Sequence, residues 1–99
     1  MKKMHKDDTL PYNYPMIEVW NTTNSIAAQI VPRLQAFKAL DRHSYPSDLA
    51  GMKEWNKVLQ TMIDAFVLLR DLHSYSAEEK QIIDKGLTFF HKYFCDLWD

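Results

Sequence analysis

A chain of 99 residues, 46% hydrophobic and 13% aromatic, suffices for one core and not for two, because chains this short bury only about 60 to 65% of their unfolded surface. Its 12 basic and 13 acidic residues leave a formal charge of −1, too little to gather DNA or anionic lipid at long range, so any charge-based function is local. No apolar run approaches the roughly 20 residues of a membrane span, and the opening MKKMHKDDTL lacks the apolar segment of a secretory signal.

Residues 1–16 combine three lysines, two aspartates, Pro11 and Pro15 with no helical or alternating apolar period, which predicts an extended arm ahead of a single domain over 17–99. Asn21 to Ser25 are five cap-type residues in a row, and their side chains suit the free amides of a helix start. Turning about 100° per residue, Ile26, Ile30, Leu34, Phe37 and Leu40 then fall together with Ala27 and Val31 beside them, an amphipathic helix interrupted only by Pro32. Asp41 to Gly51 has the chemistry of a loop.

A second helix follows from about Met52 to Leu72, with Met52, Trp55, Leu59, Met62, Ile63, Phe66 and Leu69 as its stripe. Ser76 and Glu79 form the S-x-x-E capping signature, which opens a third helix expected to run to Asp99. Its apolar residues, Ile82, Ile83, Leu87, Phe89, Phe90, Tyr93, Phe94, Leu97 and Trp98, cover about half the circumference, wider than the roughly 100° stripe usual for a surface helix. Such a helix needs two neighbours, one of them a second subunit. Gly86 lies inside that arc and predicts a close backbone approach. With 2 glycines and 4 prolines there is little material for hairpins, so the expected fold is all-α, a small bundle of three main helices that forms a homo-oligomer.

The residues with chemistry to offer are few. Arg33 projects between Ile26 and Phe37, where a guanidinium needs an anion, an internal partner such as Asp64, or a route to solvent along its own stem. Arg70 extends the second stripe near the helix C-terminus, where the dipole also favours a cation. If the two arginines converge, they make an anion pocket. Arg42, His43, Tyr45 and Lys38 cluster around the first loop near Trp55, a mixture of basic and aromatic groups that suits a nucleotide and is also the composition of ordinary solvated surface. His91 and Cys95 have helical i, i+4 spacing but lack the further ligands of a metal site. With no phosphate-cradling glycine loop and no nucleophile–base arrangement, the sequence predicts neither an enzyme nor a cofactor. A single cysteine, Cys95, fits a reducing compartment.

Val19-Trp20, IVPRLQAFKAL at Ile30–Leu40 with the following HSYP, EWNKVLQTMIDAF at Glu54–Phe66 and KGLTFFHKYFCDLWD at Lys85–Asp99 together resemble a family of small uncharacterised bacteriophage and prophage proteins. That resemblance implies a small helical protein acting in the cytoplasm of a bacterial host, and it brings no activity with it. Joined to Arg33, Arg42, His43, Tyr45, Trp55 and Arg70, it leads to the expectation of a non-enzymatic accessory protein that sequesters a host factor, such as an anionic nucleotide immune signal. A protein-binding inhibitor of a host defence effector and a virion assembly factor are the alternatives.

Overall fold

The computed structural model describes residues 13–99, which form α1 (Met16–Trp20), α2 (Thr22–Ala39), α3 (Met52–Asp71), α4 (Ala77–Tyr93) and a closing 3₁₀ turn over Phe94–Asp96. The fold is all-α, with three main helices and no strand among the described residues. Most of the expected arm, residues 1–12, lies outside the described residues.

The described end of that arm is ordered by its own turn. Asn13 takes a left-handed φ of 64°, a conformation asparagine tolerates better than most residues. The carbonyl of Pro15 accepts the N–H groups of Glu18 and Val19 at 3.1 and 3.3 Å, which starts α1 and buries Met16. Five residues are too few to show a helical period, so α1 was not legible in the pattern.

The polar cluster at 21–25 does mark a helix start, but its side chains act as donors and not as acceptors for α2. Asn21 Nδ2 donates to Ile17 O at 3.2 Å, Thr22 Oγ1 to Val19 O, and Ser25 Oγ to Glu18 O at 3.1 Å. They satisfy carbonyls that a short helix leaves open at its C-terminal end. Asn24 reaches further: its amide nitrogen donates to Leu69 O at 2.8 Å and Leu72 O at 3.0 Å, with Arg70 O at 3.3 Å. The start of α2 thereby caps the end of α3, and the two helices run antiparallel.

Helix α2 continues through Pro32 and buries Ala27, Val31 and Leu34. This face is rotated from the one projected around Ile26, which stays 53% exposed. In α3 the predicted stripe is buried from Trp55 to Phe66, joined by Val58 and Ala65, with Met52 and Leu69 half-buried at its ends, and the buried arc spans roughly 160°. It is that wide because α3 packs against α2 on one side and α4 on the other, whereas α2 and α4 share no comparable interface. Trp55, Leu59 and Met62 are fully buried along this central helix.

The capping box that opens α4 has both of its bonds: Ser76 Oγ accepts from Glu79 N at 3.1 Å, and Glu79 Oε1 accepts from Ser76 N at 2.8 Å. Gly86 is buried against α3, where a Cβ added to it would lie 2.2 Å from Ala65 Cβ and 2.8 Å from Thr61 O. The expected close approach is therefore real. Helix α4 stops at Tyr93, short of the predicted Asp99, because the chain tightens into the 3₁₀ turn and bends back towards the α2–α3 loop. Only Ile83, Gly86 and Tyr93 of α4 are buried, leaving Ile82, Leu87 and Phe94 exposed within the single chain.

Candidate functional site

Beyond Leu40 the backbone turns extended, and the loop that follows is organised around Arg42. Its side chain folds back beneath the end of α2: Nη2 donates to Lys38 O at 3.0 Å and to Asn56 Oδ1, while Nε donates to Leu40 O at 3.4 Å. The guanidinium lies over the Phe37 ring, 5.1 Å from its centroid. A cation here answers the carbonyls and the negative end of the α2 dipole, with the ring face adding a cation–π contact. Arg42 is 7% exposed, and its Nη1 is buried without a hydrogen-bond partner. Burial pushes its pKa down and the charge of Asp99 opposes the shift, which leaves an arginine protonated at neutral pH.

Next to Arg42 the loop presents a set of donors to Asp99. Oδ1 of that residue accepts from His43 N at 2.9 Å, Ser44 N at 2.9 Å and Ser44 Oγ at 3.0 Å, and Oδ2 lies 3.2 Å from His43 Nδ1. The His43 backbone N–H, more than any other partner, lowers the Asp99 carboxyl from 3.8 to about 2, against the opposing effect of desolvation. Two successive backbone N–H groups converging on one oxygen form a small anion-binding concavity.

A second tie fixes the far side of the loop. Asp48 Oδ2 accepts from the Tyr93 hydroxyl at 2.9 Å and pairs with Lys92 Nζ at 3.0 Å, and the Lys92 contact is foremost in lowering the Asp48 pKa. Tyr93 in turn sets its ring edge-on to Trp55 at 5.6 Å, while Phe37 meets Trp55 from α2 at 6.3 Å. The loop, the end of α2 and the end of α4 are thus all anchored above one buried indole.

The residues singled out in the sequence divide accordingly. Arg42 and His43 do come together, with Trp55 below them through Phe37, but Trp55 has no exposed surface to offer a ligand. Tyr45 is half exposed at the loop surface. Arg33 is exposed and bonded to its own helix, to Gln29 O at 3.0 Å and Gln29 Oε1 at 3.4 Å. It lies outside the apolar face because α2 buries the Ala27–Val31–Leu34 side, roughly 120° around the helix. Its suggested partner Asp64 instead accepts from Gln60 at 2.8 Å.

Arg70 makes a bidentate pair with Asp71 at 2.7 and 3.0 Å. Its level in the bundle is that of Asn24, nine residues and roughly 13 Å along α2 from Arg33. The two arginines form no joint pocket. Asp99, Ser44, Asn56 and Asp48 were not anticipated; each contact spans at least 14 positions or joins separate elements, so no local period announces it. No family model, curated protein or solved structure matches this chain.

Proposed function

We propose that the chain is a non-enzymatic binding protein that acts by docking another protein, which in the phage setting implied by the sequence resemblance is a host defence effector. The observation that carries this reading is the exposed flank of α4. Leu87 and Phe94 are 39% and 58% exposed, and with Phe90, His91 and Cys95 they line one shallow depression of about 410 Å³. Contiguous apolar surface of this kind is characteristic of interaction sites, and aromatic side chains supply much of the binding energy in such contacts. Sequestration of a nucleotide has less support, since Trp55 is enclosed, Arg70 is paired, and Arg33 and Arg70 stand apart.

The test is a double variant, Leu87→Glu with Phe94→Glu, which places charge on the flank at positions already facing solvent. A host protein that co-purifies with the wild-type chain should be lost with the variant while the far-ultraviolet circular dichroism is unchanged. Recovery of the same proteins by both chains would sink the reading. Light scattering supplies the other outcome: a wild-type dimer that the double variant breaks assigns the flank to a second copy instead.

A further inference from the structure

Separately from the α4 flank, we propose that the loop Arg42–Ser44 is a binding site for a phosphate-class dianion, with the Asp99 carboxylate holding the ligand's place in the free chain. Four donors from two consecutive residues already converge on one anionic group: the N–H groups of His43 and Ser44, the Ser44 hydroxyl and the His43 ring. Beside them Arg42 is more than nine-tenths buried, and its Nη1 has no partner. A buried guanidinium nitrogen left unbonded is costly; the Asp99 charge acts on Arg42 from nearby, but no Asp99 oxygen bonds Nη1.

The oxygen count favours phosphate over a second carboxylate. In the free chain Oδ1 accepts three bonds and Oδ2 one. A phosphate monoester carries three terminal oxygens and about 1.5 to 2 negative charges at neutral pH. It can take over all four of those bonds and still present an oxygen to the guanidinium, the planar donor suited to it.

Asp99 is also placed to leave. It follows the last helical turn, in a segment outside regular structure whose neighbour Trp98 is 69% exposed. Leu97, two residues before it, packs against the core, and Tyr93 is fixed independently through Asp48, so only the chain beyond Leu97 has to turn away. Releasing the carboxylate therefore opens the loop without unpacking the aromatic cluster around Trp55.

Inorganic phosphate is the probe, titrated at constant ionic strength into the full chain while the amide resonances of His43 and Ser44 are followed. Removing a tethered competitor raises the fraction of chains with an open site, so Asp99→Ala should bind phosphate about tenfold more tightly than the wild type or better. Adding Ser44→Ala should reverse most of that gain, and acetate at the same concentration should move both amides less than phosphate does, since it brings two oxygens and one charge to the same donors. In the wild type the Asp99 side-chain carboxyl resonance should shift together with the two amides as phosphate is raised. That second measurement decides the matter even if Asp99→Ala does not fold. An Asp99→Ala chain that folds but shows no saturable response, or wild-type amides that respond while Asp99 does not, overturns the proposal and leaves the contact as a structural tie. Neither result bears on docking through Leu87 and Phe94.

Discussion

Asn24 joins two helices through one amide nitrogen, which donates to carbonyls that the end of α3 cannot satisfy internally. Asn24→Ala should lower stability by about 1 to 2 kcal/mol, the usual cost of leaving part-buried acceptors unmet. Asn24→Asp should be worse at neutral pH, because a carboxylate of nearly the same shape would face carbonyl oxygens at the negative end of the α3 dipole. Thermal denaturation of the two variants checks both the size and the order. Asp99 supplies a pH test at the same scale. Its pKa is depressed from 3.8 to about 2, so the native chain holds this proton less tightly than the unfolded one. The stabilisation is present above pH 4 and is lost as pH falls through about 2. Acid denaturation curves of wild type and Asp99→Asn should converge at low pH; a constant gap between them down to pH 2 would refute the assignment.

Among the elements, the α3–α4 contact depends on Gly86. In an isolated helix Gly86→Ala would gain roughly 1 kcal/mol in propensity. Here the new methyl meets Ala65 Cβ and Thr61 O, neither of which is the end of a flexible side chain, and overpacking of this sort costs about 1 to 3 kcal/mol. The expected net result is a loss of up to about 2 kcal/mol in urea denaturation, and Ala65→Gly in the same chain should recover part of it. Gly86 is also where the sequence was most readable, since a glycine in the middle of an apolar arc has few explanations. The capping box at Ser76–Glu79 and the Trp55–Phe66 stripe were legible for the same reason: their cause is local. The orientation of α2 was not. Its apolar residues admit several projections, and the choice is made by what α3 presents, so Ile26 and Arg33 were placed on the wrong side.

At the scale of the molecule, three main helices enclose one core, the last of them shorter than expected, and the loop site became visible only when residues 42–44 met residue 99. No spacing rule reaches across that separation. The same arrangement has a kinetic consequence. Because α3 lies between α2 and α4, and those two share no comparable interface, the bundle consists of two seams that need not open together. The α2–α3 seam is latched at one end by Asn24 and at the other by Arg42 on Asn56. The α3–α4 seam depends on the loop ties of Asp48 and Asp99 for the same service. Native-state hydrogen exchange should therefore find α4 opening in a lower-energy event than α2, and loss of the Asp99 tie should hasten exchange along α4 while leaving α2 unchanged.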